Sequence, residues 1–187
     1  MKKAGFLLLF SLVFSLSALV SQSNMSSSGA EISFTFNRQR GFSSNQFAIW
    51  IEDIQGNLVK TLYAAKFTAT GGWERRAQSI PLWVQKSGVS ALNKRDIDAI
   101  TGATPRTGTL NYSWDGLDKN GNPAAAGEYH IFLEATLRED NRVLYSAVFT
   151  LGSGVAGAVN AEVKSVYFGT STKECGMIDN VRIVYRQ

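Results

Sequence analysis

Seven consecutive residues give this chain its clearest chemical potential. Asp98-Ala99-Ile100-Thr101-Gly102-Ala103-Thr104 gathers a carboxylate and two hydroxyls into one short run. Gly102 and Ala103 put no bulk beside the second hydroxyl. Pro105 follows and, having no N–H to donate, keeps that end out of a sheet ladder. The plain structural alternative is a Thr-Gly-Ala-Thr-Pro turn. Elsewhere the residue types argue against catalysis. His130 is the sole histidine, and between Tyr129 and Ile131 it reads as a packed or surface residue of a strand. Cys175, the sole cysteine, precedes Gly176 in a turn-like stretch without an evident base, which leaves an inert thiol. No His/Cys cluster exists for zinc or haem. Asp96 and Asp98 are neighbours in sequence, but paired acid/base work needs a substrate cleft that the pattern does not reveal. There is no Gly-x-Ser-x-Gly elbow and no phosphate-cradling glycine loop. Asp115, Asp118 and Asn120 lack the later bidentate glutamate of a calcium loop, and turns that bond nearby N–H groups account for their oxygens. The chain is therefore expected neither to catalyse a reaction itself nor to hold a metal.

The N-terminus indicates where the protein works. Lys2 and Lys3 precede an apolar run from Phe6 to Val20, and Ser21-Gln22-Ser23-Asn24 follows. That is the layout of a secretory signal, and the run is shorter than the ~20 residues a membrane-spanning helix needs. A signal over 1–23, a Ser-rich linker over 24–30 and a single domain over 31–187 are predicted. No cysteine follows the apolar run, so a lipid-anchored lipoprotein is excluded and the destination is periplasmic or secreted. With one cysteine, the exported fold has no internal disulfide and must rely on its core. Hydrophobic residues at 44% and aromatic residues at 11% make such a core feasible. The formal charge of +4 falls by two once Lys2 and Lys3 leave, and the remaining basic residues are scattered, which disfavours nucleic-acid binding.

Period-two alternation dominates from Ile32 onward. Ile32, Phe34 and Phe36 share one face against Ser33, Thr35 and Asn37, as a half-buried strand requires. Phe47-Ala48-Ile49-Trp50-Ile51 is apolar on both faces, which marks a central strand. Gln55-Gly56-Asn57 turns it into a hairpin partner over Leu58 to Tyr63. Further strands are predicted over 109–114, 129–138, 143–151, 161–168 and 180–185. Short strands with Gly, Asn and Asp turns define an all-β fold, a two-sheet antiparallel sandwich. Between about 67 and 108 the alternation stops, and a long irregular and helical insertion is predicted. Within it Ser79 would cap a short helix, Pro81 would sit in its first turn, and Gly88 would end it. The heptapeptide falls in the irregular remainder of this insertion. Long ordered insertions carry function more often than framework.

Trp114-Asp115-Gly116-Leu117-Asp118-Lys119-Asn120-Gly121, followed by Gly127-Glu128-Tyr129, places a tryptophan at a strand end to cover the core. The block resembles the Ig-like repeat of the flagellar hook-capping protein, which shares Trp-Asp-Gly-x-Asp-x-x-Gly and the later Gly-x-Tyr. Gly56-Asn57-Leu58-Val59-Lys60-Thr61-Leu62 resembles the earlier hairpin of the same repeat. The fold that this implies is an Ig-like antiparallel β-sandwich. Together with a Trp-bearing insertion and the run before Trp114, these features resemble a predicted periplasmic family, domain of unknown function family twenty-two seventy-one, over roughly 31–152. Residues 158–187 extend past that resemblance as two further strands. Membership implies company: a flavin transferase and a PepSY-type membrane reductase.

The heptapeptide itself resembles the Asp-x-x-[Ser/Thr]-Gly-Ala-[Ser/Thr] motif of proteins that receive FMN covalently. In those proteins a magnesium-dependent flavin transferase moves FMN from FAD onto the last hydroxyl as a phosphoester. The resemblance implies that Thr104 is the acceptor, with Asp98, Thr101, Gly102 and Ala103 as the recognised frame. Arg106, two residues on, would offer a guanidinium to the phosphate. Trp73 and Trp83, in the same insertion, are candidates to stack on the flavin ring or to seat the insertion on the sandwich. The function implied is an exported electron-transfer protein carrying covalent FMN. The alternative is a non-catalytic Ig-like structural or binding module of the cell envelope.

Overall fold

A computed structural model of the chain describes residues 28–40, 45–138, 141–152, 154, 157–169 and 176–186. The predicted signal over 1–23 and Cys175 lie outside these residues.

Among the described residues, ten strands form two sheets. The first sheet orders β5 (Gly108–Trp114), β1 (Gly29–Phe36), β10 (Ile178–Arg186) and β8 (Ala158–Asn160). The second orders β4 (Thr101–Gly102), β3 (Leu58–Ala65), β2 (Gln46–Asp53), β6 (Gly127–Arg138), β7 (Asn141–Leu151) and β9 (Lys164–Phe168). All pairings are antiparallel except β3 with β4. The fold is an all-β sandwich. β1 shows how the sequence builds it: Ala30, Ile32, Phe34 and Phe36 are buried, while Glu31 faces solvent and Ser33 and Thr35 are half-buried. The inward set packs against Phe47, Ile49, Ile51, Ile131 and Leu133 of the opposite sheet. β1 begins at Gly29, within the stretch read as linker.

The two-faced apolar strand is central, as its composition predicts: β2 lies between β3 and β6. One face, Phe47, Ile49 and Ile51, joins the core between the sheets. The other, Ala48 and Trp50, joins a second cluster with Ala64, Ala69, Ile80, Trp83 and Val89. Residues 67–108 form that second layer. They comprise a π-type turn Thr68–Gly72, α1 (Trp73–Arg75), α2 (Pro81–Ser87), a 3-10 turn Val89–Ala91 and α3 (Lys94–Ile100). Both faces of β2 are apolar because helices cover the outer face of its sheet.

Two expectations for this layer change. Ser79 does not cap α2; its hydroxyl is buried 2.6 Å from that of Thr68. The first N–H groups of α2 go instead to Glu134 of β6, whose carboxylate accepts from Leu82 at 3.3 Å and Trp83 at 3.0 Å, and from Arg142 at 3.1 Å. Ile80, in the left-handed region (φ 44°), turns the chain into the helix. Gly88 ends α2 in a left-handed conformation, as predicted. Of the strand predicted over 161–168, only Lys164–Phe168 is strand (β9); a separate short strand, β8, precedes it and pairs in the other sheet.

In the Trp-Asp-Gly corner the readings for Trp114, Asp115 and Asp118 hold, whereas Asn120 donates its backbone N–H to Asp118 and its side-chain oxygen accepts no N–H among the described residues. Trp114 is buried, donates from Nε1 to the Leu117 carbonyl at 2.7 Å, and packs against Tyr129 and Phe149. Asp115 accepts from the Leu117 N–H, and Asp118 accepts from the N–H groups of Asn120 and Asn122.

Candidate functional site

The heptapeptide is not one irregular loop. Its first part, Asp98 to Ile100, closes α3, and Thr101–Gly102 is β4, so only Ala103 and Thr104 are free of regular structure. The helix has a local cause. Asn93 caps it by accepting from the Asp96 N–H at 3.0 Å, an arrangement that satisfies one otherwise unpaired helix donor. Ile97 and Ile100, three residues apart, pack on the second apolar cluster. The Asn-x-x-Asp start and the isoleucine spacing are the signals in the sequence that mark this helix.

β4 pairs in parallel with the end of β3, Thr101 opposite Ala64 and Gly102 opposite Ala65. The ladder stops there, three residues before Pro105, so proline is not what ends it. Tyr63 lies beneath. Its ring stacks on Phe47 at a centroid distance of 4.5 Å, and its hydroxyl donates to the Ala103 carbonyl at 3.4 Å. Burial pushes that hydroxyl's pKa up to about 12, so it stays a donor. A Cβ built on Gly102 would lie 3.0 Å from Cε2 of Tyr63. Glycine serves this position through close approach rather than backbone freedom, since its φ is not in the left-handed region and a Cβ would require the Tyr63 ring to shift.

Thr104 follows directly. It is half-buried, between exposed Ala103 and half-buried Pro105, with Arg106 exposed beyond. Among the described residues its hydroxyl has no hydrogen-bond partner. Downstream, the Thr107 hydroxyl accepts from the Arg38 N–H at 3.0 Å, and β5 begins at Gly108. Residues 103–106 thus form a short bridge, held by β4 at one end and by Thr107 at the other.

The remaining candidates are distributed around this bridge. Thr101 and Gly102 lead into Thr104 through β4. Asp98 faces a separate partner: its carboxylate receives Lys94 Nζ at 2.7 Å on the surface of α3. The Lys94 hydrogen bond, and then its charge, hold the Asp98 pKa below the usual carboxylate value. Asp98 and Lys94 line an open cleft of about 500 Å³, together with Lys66, Trp73, Leu92 and Ile97. Trp73 is half-buried there. Trp83 is not available to a ligand: it is fully buried beneath α2, with Nε1 donating to the Thr61 hydroxyl at 3.1 Å. Its role is to seat the insertion. Tyr63 and Lys66 were not singled out from sequence, because only the β3–β4 register brings them to the heptapeptide.

No group of three or more His, Cys, Asp or Glu placed to hold a metal occurs among the described residues. His130 stacks on Phe132 and lies 3.8 Å from Glu128.

A family model described as Predicted periplasmic protein (DUF2271) matches residues 29–167. The match runs past the 152 expected, through β8 and into β9. No curated protein and no solved structure matches the chain. Since the family model spans most of its length, the chain belongs to the DUF2271 family of predicted periplasmic proteins.

Proposed function

We propose that the protein is an exported electron carrier whose FMN is esterified to Thr104 by a flavin transferase. The observation that carries this reading is an unpartnered hydroxyl on a half-buried residue of a short bridge, at the last position of Asp-x-x-Thr-Gly-Ala-Thr. An acceptor must enter another enzyme's active site, and a residue inside a ladder or core does not.

The attachment balances as follows. The Thr104 oxygen bonds to the FMN-side phosphorus of FAD, the pyrophosphate P–O bond breaks, and AMP departs. The hydroxyl proton passes to a base or to solvent, so the chain gains the mass of FMN less water. Bound flavin supplies the electron chemistry, while the polypeptide tethers and exposes it. Gly102 and Ala103 keep bulk away from the entering active site. Asp98 and Thr101 complete the frame that the transferase reads. Arg106, exposed and without an ion pair among the described residues, neutralises the phosphate charge through its guanidinium. A PepSY-type membrane reductase is the electron donor that this reading expects.

The test is periplasmic co-expression of the full chain with a bacterial flavin transferase. The wild type should give a fluorescent band on a denaturing gel, Thr104→Ser should keep it, and Thr104→Val should lose it. An unlabelled wild type beside a labelled control substrate overturns the proposal and leaves the sandwich as a binding module.

A further inference from the structure

Resting on that reading, we infer that the cleft between the Thr68–Arg75 turn and α3 is the seat of the flavin ring, with Trp73 as its stacking surface and Lys66 as the cation beside it. The sheet register makes the cleft reachable. Gly102 pairs with Ala65, and the next residue along β3, Lys66, leaves the sheet to line the cleft. Thr104 is two residues beyond Gly102. With strands ~4.8 Å apart and α-carbons ~3.8 Å apart along the chain, its Cα lies within roughly 12 Å of that of Ala65. The phosphate and ribityl chain of FMN bridge a comparable length.

The lining suits an isoalloxazine ring more than an aliphatic or purely ionic guest. Leu92, Ile97 and the half-buried Trp73 give apolar and aromatic surface, against which a planar ring stacks. The polar edge carries two charges outside any ion pair among the described residues, the ammonium of Lys66 and the carboxylate of Glu74. Lys94 is committed to Asp98 at 2.7 Å, whereas Lys66 forms no ion pair among the described residues and acts on Asp98 only through space. A free ammonium at this edge favours the reduced, more negative flavin. The wall is also braced. The Thr70 hydroxyl donates to the Lys66 carbonyl at 2.8 Å, and the Arg75 guanidinium lies 5.5 Å from the Phe67 ring centre. Gly72 has no room for a side chain, since a Cβ there would collide with Phe67.

The experiment uses the full chain labelled with FMN by co-expressed transferase, with intact mass confirming attachment in every variant. Wild-type flavin emission should be quenched by Trp73 and protected from iodide. Trp73→Ala should brighten emission severalfold and open the ring to iodide, with the attached mass unchanged. Trp73→Phe retains a stacking face and the packing, so it should brighten emission yet keep iodide protection. Lys66→Gln should lower the flavin midpoint potential in a dithionite titration. Attached flavin whose emission and iodide access are the same in wild type and both Trp73 variants overturns the cleft assignment and leaves attachment at Thr104 standing. A wild type that takes up no flavin overturns both.

Discussion

At the residue scale, the site depends on how little surrounds one hydroxyl. Thr104 has no hydrogen-bond partner among the described residues, while the residues before it are fixed by the β3–β4 pairing and the Tyr63 ring. Gly102 is the most sensitive of these. Replacing it with leucine drives a side chain into Tyr63, where even a Cβ would come within 3.0 Å. Overpacking of this kind costs about 1–3 kcal/mol, so Gly102→Leu should lower the urea midpoint and slow labelling by the transferase. Gly102→Ala should do the same more weakly, and an unchanged labelling rate in the leucine variant would show that β4 does not set the pose of Thr104. The identity and order of these residues were legible in the sequence. The helix was marked by the Asn93 cap position and the isoleucine spacing, but the strand and bridge after it were not legible, because Ala64 and Ala65, which pair with Thr101 and Gly102, are far away along the chain.

At the element scale, a helical layer seated on the outer face of the larger sheet positions the site. Trp83 anchors it, fully buried and hydrogen-bonded to Thr61. Truncating a buried tryptophan costs about 3–5 kcal/mol, so Trp83→Ala should show a loss of that order in denaturant unfolding. Hydrogen exchange should rise first over 67–102. Glu134 fixes the start of α2 from a strand fifty-two residues away, which explains why Ser79 was the cap expected from local sequence. Local reasoning sees Ser79-Ile80-Pro81; it does not see a carboxylate that arrives only with the folded sheet. Burial of Glu134 raises its pKa above the ordinary 4.5, against the opposing N–H groups of Trp83 and Leu82 and the charge of Arg142. A carboxyl whose folded pKa is raised stabilises most below its unfolded value, and that contribution is lost as pH rises through the folded value. The melting temperature of wild type relative to Glu134→Gln should therefore fall as pH is raised from about 4.5. A difference independent of pH would mean that Glu134 does not titrate above its ordinary range.

At the scale of the whole molecule, the family match and the folded unit end at different places. The match stops at 167, yet β10 is an interior strand of the smaller sheet, hydrogen-bonded to β1 along its length and burying Ile178 and Ile183. A chain truncated after residue 167 should fail to fold, read by loss of the cooperative thermal transition; a truncated chain that melts like the full one would contradict the place assigned to β10. Alternation made most of this sandwich legible from Ile32 onward, and the apolar surface on both sides of β2 marked it as a central strand. The order of the strands was not legible, because the distant pairs that fix it, such as β1 with β10, leave no local pattern. The central claim concerns one covalent bond in the finished protein, and intact mass spectrometry of the protein exported by its native host tests it most directly. The account predicts the mature chain plus one FMN less one water, with the added mass mapping to the peptide that carries Thr104. Unmodified chain from cells with active flavin transferase, or flavin on any other residue, would contradict it.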